Sequence, residues 1–86
     1  MIHEVAVDVS MVAIFDVLAG TVTPWRFKWN NRDYTIKQIT LHYPVRQGRV
    51  LHHMFEVYDG KQHFQLDFNT ETLKWRINKT DDGFPG

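Results

Sequence analysis

Two turn signals in the C-terminal half constrain this chain most, because each turn, read by itself, places the same side chains on one face of a sheet. Asp59-Gly60 is a two-residue hairpin signal, and counting back from it pairs Tyr58 with Lys61, Phe55 with Phe64 and His53 with Leu66. The four-residue connection Asn69-Thr70-Glu71-Thr72 sets Phe68 opposite Leu73, Leu66 opposite Trp75 and Phe64 opposite Ile77. Both counts give one apolar face of Leu51, Phe55, Val57, Phe64, Leu66, Phe68, Leu73, Trp75 and Ile77. The other face carries Glu56, Gln65, Asp67, Lys74 and Arg76, the two sides of a half-buried antiparallel sheet.

Upstream, Trp25, Phe27 and Trp29 alternate with Arg26 and Lys28, the clearest strand pattern in the chain. Asn30-Asn31 accommodates the positive φ values of a type I′ turn, which pairs Trp29 with Arg32, Lys28 with Asp33 and Phe27 with Tyr34. On the return, Tyr34 and Ile36 share a face, but the next apolar residues are Ile39, Leu41 and Tyr43. The parity change at Lys37-Gln38 predicts a bulge or corner that sends the two halves of this strand into different sheets. Residues 44–48 read as a basic exposed loop.

The N-terminal segment alternates at Val5, Val7, Val9, Met11, Ala13, Phe15 and Val17, while Val12 and Ile14 break the alternation. The pattern is one long strand, or two split near Ser10, covered on both faces past that point. A helix over residues 11–19 competes, with Ser10 as N-cap and Gly20 as its C-terminal stop, and the β-branched Val12, Ile14 and Val17 favour strand. The expected fold is all-β: five or six antiparallel strands in a small bent roll or SH3-like barrel. Its core is centred on Phe27, Trp29, Tyr34, Phe55, Phe64, Leu66 and Trp75. At 86 residues the chain supports one such domain, over residues 1–78, and residues 79–86 read as a flexible tail.

The absence of cysteine excludes disulfides, thiolate metal sites and a catalytic thiol. Met1-Ile2-His3-Glu4-Val5 lacks a basic n-region and Asp8 and Asp16 interrupt the apolar stretch behind it, which argues against a signal peptide or membrane span and for a cytoplasmic protein. Acidic and basic residues balance to zero formal charge, so no strong field selects a polyanionic partner.

The run Pro24-Trp25-Arg26-Phe27-Lys28-Trp29-Asn30-Asn31-Arg32-Asp33-Tyr34-Thr35-Ile36, with the later Leu73-Lys74-Trp75-Arg76-Ile77, resembles a group of small uncharacterised bacterial β-domains. Their pattern is Pro-x-x-Phe-x-Trp-x-x-Arg-x-Tyr, and the likeness spans roughly residues 12–78. Some members are associated with relatives of lesion-bypass DNA polymerases, which implies a DNA-associated setting. The group usually has Gly where this chain has Asn31. The matching positions are strand and turn residues, so the resemblance implies a fold and transfers no active site.

Five histidines raise the question of a metal. His52 and His53 are adjacent on a strand and point to opposite faces, so they cannot chelate one ion together. A His42, His52, Asp67 set is geometrically conceivable, but Lys74 opposite Asp67 favours an ordinary polar row, and no metal or cofactor is expected. His63 opposite Glu56 resembles a catalytic pair, yet Ser10 is the only serine and no triad spacing or phosphate loop accompanies it, so no enzyme is expected. His53, on the core face beside Phe55, reads as a partly buried histidine whose protonation loosens the fold in mild acid. Two functional readings remain. The first is a protein-interaction or structural module that meets an unknown protein partner or a second copy through an edge, either the N-terminal strand or Leu73 to Ile77. The apolar row Val5, Val7, Val9 and Met11 of the N-terminal strand is equally explained by burial in the chain's own barrel. The alternative is nucleic-acid binding through a basic outer face of Arg26, Lys28, Arg46, Arg49, Lys74 and Arg76.

Overall fold

The computed structural model describes residues 1–81 as one antiparallel sheet. Its strands are β1 (Ile2–Asp16), β2 (Thr21–Trp29), β3 (Arg32–Thr35), β4 (Gln38–Gln47), β5 (Val50–Tyr58), β6 (His63–Asn69) and β7 (Trp75–Asp81). Their order is β3-β2-β1-β7-β6-β5-β4, seven strands where the sequence predicts five or six. The fold is all-β, and no helix forms among the described residues, so none is long and apolar enough to cross a membrane. The sheet bends around its core without closing into a barrel, because β3 and β4 lie at its two ends and share no ladder.

The expected corner forms, but the two halves it separates, β3 and β4, serve opposite ends of one sheet rather than different sheets. β3 pairs with β2 and β4 with β5, and the two intervening residues are tied to both sides. Ile36 N–H donates to the Trp25 carbonyl at 2.9 Å, and Lys37 N–H to the Tyr58 carbonyl at 2.8 Å. The Asn30-Asn31 turn forms as predicted, with φ of 51° and 62° and the pairs Trp29/Arg32, Lys28/Asp33 and Phe27/Tyr34.

Both C-terminal turns are longer than the sequence count allows, and each shifts its ladder by two residues next to the turn; in β7 an extra residue at Asn78 then adds a third, so Phe64 meets Thr80 rather than Ile77. Asp59 Oδ1 accepts the backbone N–H groups of Lys61 and Gln62 at 2.9 and 2.8 Å, so the turn spans residues 59–62 and Phe55 meets Leu66 rather than Phe64. Asn69 Oδ1 likewise accepts from Glu71 and Thr72 at 2.9 and 3.1 Å, and Phe68 meets Trp75 instead of Leu73. A two-residue shift preserves parity, so the predicted faces survive the wrong register. Leu73 is the exception: it leaves the core, 65% exposed at a φ of 63°.

The core is Phe27, Phe55, Val57, Phe64, Leu66, Phe68, Trp75 and Ile77, with Trp29 and Tyr34 partly buried against it. Phe64 is its hub, with ring centroids 5.0 Å from Phe27, 5.2 Å from Tyr34 and 6.3 Å from Trp29. Trp25 does not share this face. Val12 pairs with Arg26 and Ala13 with Pro24, so Trp25 is the extra residue of a bulge; Pro24 turns inward and Trp25 outward.

The strand favoured by Val12 and Ile14 forms, with β1 running to Asp16 and no helix over residues 11–19. Two further expectations are corrected. The supposed loop at residues 44–48 is strand through Gln47, because Gly48, at a φ of 61°, makes a two-residue turn with Arg49 and lets Gln47 pair with Val50. Lys79, Thr80 and Asp81 belong to β7 rather than to a tail, held by ladders to both β1 and β6, with Thr80 buried. The remainder of the predicted tail lies outside the described residues.

Candidate partner-binding edge

β1 changes partners halfway along. Residues from Ile2 to Val9 pair with β7, and from Ser10 to Asp16 with β2, on the opposite edge of the strand. Alternate backbone groups of a strand point to opposite edges, so the β7-facing edge of residues 10–16 meets no strand among the described residues. β7 starts only at Trp75, and where its line would continue there is an open groove of about 780 Å³. It is lined by the consecutive residues Asp8, Val9, Ser10, Met11, Val12 and Ala13 of β1, together with Phe15 and with Leu73, Lys74 and Trp75.

The side chains around this edge are apolar and exposed. Val12 and Ile14 stand on the outer face of β1, beside the outward Trp25, and the sequence expectation that both faces are covered here is not met. Phe15 points to the inner face but lies beyond the core; it is 61% exposed and touches Phe68 edge-on at 6.1 Å. Val17 and Leu18 at the β1–β2 turn are almost wholly exposed. Asp16 fixes that turn: its Oδ1 accepts the Ala19 N–H at 3.1 Å and its carbonyl the Gly20 N–H at 2.8 Å. A contiguous apolar surface on an ordered hairpin marks an interaction site more often than a scattering of single exposed residues does. Leu73 adds to this, being a leucine held in the left-handed region while mostly exposed, the kind of strain that clusters at functional surfaces. Of the row nominated from the sequence, Val5, Val9 and Met11 pack against the chain's own core and Val7 is exposed. The other nominated edge, Leu73 to Ile77, is removed, because β7 lies between β1 and β6. The legible signal was the break in alternation at Val12 and Ile14.

The six basic candidates do not form one patch. Arg26 Nη2 pairs with Asp33 Oδ2 at 3.1 Å, and Lys28 lies across from Asp33 on β3 and Ser10 on β1. Arg76 stands between Asp8 of β1 and Asp67 of β6, with its Nη2 donating to the Ala6 carbonyl at 3.3 Å. Lys74 shares a polar groove with Arg76, Asp8, His52 and Asp67. Arg46 and Arg49 sit at the β4–β5 turn on the far edge strand. The structure thus joins Lys74 to Arg76 and separates them from Arg26 and Lys28 by β1.

The histidines regroup. A register shift between Ile39 and Leu41 in β4 turns His42 to the inner face, where it stacks on Phe55 at 4.1 Å and its Nε2 lies 3.0 Å from His53 Nδ1. His42 is therefore not beside His52, and the His42, His52, Asp67 set is not assembled. Burial, and secondarily the neighbouring His53, holds the His42 pKa below its ordinary 6.5. His52 and Asp67 do meet, Nδ1 to Oδ1 at 2.6 Å, both nearly buried. Arg76, not Lys74, is the residue opposite Asp67. An aspartate on Nδ1 fixes the imidazole tautomer and ties β5 to β6. Glu56 faces Gln65 and His63 faces Tyr58, so the predicted Glu56/His63 pairing is displaced by the same two-residue shift. Among the described residues no three His, Cys, Asp or Glu side chains group closely enough to hold a metal ion.

Set against known proteins, the chain matches no family model, no curated protein and no solved structure. Pro24 and Phe27 are buried, Trp29 and Tyr34 pack on the core and Asn30-Asn31 makes the turn, so each of these motif residues has a structural role.

Proposed function

We propose that this protein is a non-enzymatic interaction module whose working surface is the open half-edge of β1 at residues 10–16. The observation that carries the reading is the strand edge left without a partner among the described residues, which lines an open groove and is bordered by exposed Val12, Ile14, Phe15 and Leu73. Main-chain hydrogen bonds from an added strand supply affinity there, and the apolar side chains on either face supply selectivity. The charge pattern favours this over nucleic-acid contact, since Arg26 and Arg76 are occupied by carboxylates or carbonyl groups of the chain itself. Amide hydrogen exchange in dilute protein tests it. Residues 10–16 should show alternating behaviour, protected where the N–H faces β2 and rapidly exchanging where it faces the groove. Uniform protection along the segment in the dilute monomer refutes an available edge.

A further inference from the structure

We infer that the occupant of this edge is a second copy of the chain, paired antiparallel through residues 10–16 about a two-fold axis at Ala13. The inference rests on the proposed role of the edge and adds its partner and register.

The free edge is bounded at both ends. β7 begins opposite Val9 and closes one end, while the chain turns away after Asp16 at the other. A two-fold pairing that uses the whole edge must be centred on its midpoint, Ala13. That register sets Val12 against Ile14 of the second copy on the outer face and Met11 against Phe15 on the inner face, with Ala13 meeting its counterpart. Ser10 meets Asp16 at each end. Every apolar residue faces an apolar one and the polar residues face each other. Moving the axis by one residue destroys this match. Centred on Val12, the pairing sets Ser10 against Ile14; centred on Ile14, it buries Asp16 against Val12.

Charge agrees with the same register. The incoming Asp16, on the outer face of β1, reaches the end of the groove lined by Lys74, which also lines the polar groove of Asp8, Asp67 and Arg76. Asp16 spends Oδ1 on the Ala19 N–H, which leaves Oδ2 for that lysine. Beyond Asp16, the exposed Val17 and Leu18 of the incoming turn arrive beside Leu73, at the end of the groove which Leu73 and Lys74 form. The contact gives the strained leucine an apolar neighbour. The product is one continuous sheet through both copies, in which the two half-edges remove each other's unpaired backbone groups.

Sedimentation across a wide concentration range measures the association, on the wild-type chain and on V12K, I14E and V12K/I14E. All substituted side chains are exposed, so the fold is retained, which tryptophan fluorescence checks. Wild type should dimerise, and each single variant should weaken dimerisation by about a hundredfold or more, because the symmetry repeats every defect. In V12K/I14E the introduced lysine and glutamate face each other across the dyad, and dimerisation should return in a salt-sensitive form. Under the register centred on Val12 the two lysines of the double variant meet and repel; under the register centred on Ile14, V12K alone faces Asp16 and strengthens the dimer, so either behaviour overturns the Ala13 axis. A dimer unmoved by either single variant overturns both this inference and the edge reading, since the interface is then elsewhere. A wild-type chain that stays monomeric while its groove-facing amides exchange freely overturns self-pairing alone.

Discussion

Replacing Leu73 with glycine separates two pictures of the β6–β7 connection by several kcal/mol. If Leu73 stood opposite Phe68 in the core, as the sequence count has it, truncation to alanine would cost about 2–5 kcal/mol, and the further step to glycine about 0.5–1 kcal/mol. In the structure the residue is 65% exposed at a φ of 63°. Only about a third of its burial is then at stake, on the order of 0.5–1 kcal/mol out of the roughly 1.5–3 kcal/mol that full burial of a leucine supplies. Glycine also relieves a left-handed conformation that costs an L-residue about 1–2 kcal/mol. The terms oppose each other, and L73G should change stability by less than about 1 kcal/mol in either direction. Urea unfolding followed by tryptophan fluorescence reads this directly, with adjacent Trp75 as a reporter. At an m-value of about 1 kcal/mol/M the midpoint moves by less than about 1 M. Two protein concentrations keep folding distinct from association. A midpoint lowered by about 3 M would refute the turn geometry and return Leu73 to the core.

Three other outcomes follow from the packing. Phe64→Ala removes the hub of the aromatic cluster and should cost about 3–5 kcal/mol in urea unfolding, whereas Phe15→Ala, with one edge contact, should cost under about 1 kcal/mol; comparable losses would contradict the location of the core. Asp67→Ala strips the nearly buried His52 of its partner and should cost about 1–3 kcal/mol, with Asp67→Asn milder in the same assay; an alanine variant as stable as wild type would show that the link is not formed. His42 has a lowered folded-state pKa, so the unfolded chain binds its proton more readily. The contribution is fully present above 6.5 and is lost as pH falls through the folded value. Thermal unfolding below that pH should therefore lower the Tm of wild type more than that of His42→Gln; parallel curves would refute the assignment.

Much of the fold is legible in the residues because alternation is robust to errors of register. Asp59 and Asn69 each lengthen their turn by side-chain hydrogen bonds to backbone, and a turn count from sequence has no access to which local bonds win. Since each turn displaces its ladder by two residues, Phe64, Leu66 and Ile77 still face inward. Single-residue irregularities are less forgiving. The bulge at Trp25 and the shift in β4 each reverse a face, which moves Trp25 out of the core and His42 into contact with His53. The edge is visible only in part. Apolar residues on both sides of a strand indicate burial from above and below, and the sequence does not distinguish burial within the chain from burial against another.

The strand order has a consequence for how the molecule is made. Every ladder but one joins neighbours in sequence, so β1-β2-β3 and β4-β5-β6-β7 are two meanders of low contact order, and the single distant pairing is between the first strand and the last. On the ribosome β1 is finished early and β7 late. Until β7 emerges, the whole length of β1 toward that side is as open as residues 10–16 remain afterwards. Closure of the β1–β7 ladder carries the largest loop-entropy cost in the fold and is the natural slow step. The same strand edge thus sets both the window for misassembly in the nascent chain and the stretch left without a second strand neighbour among the described residues.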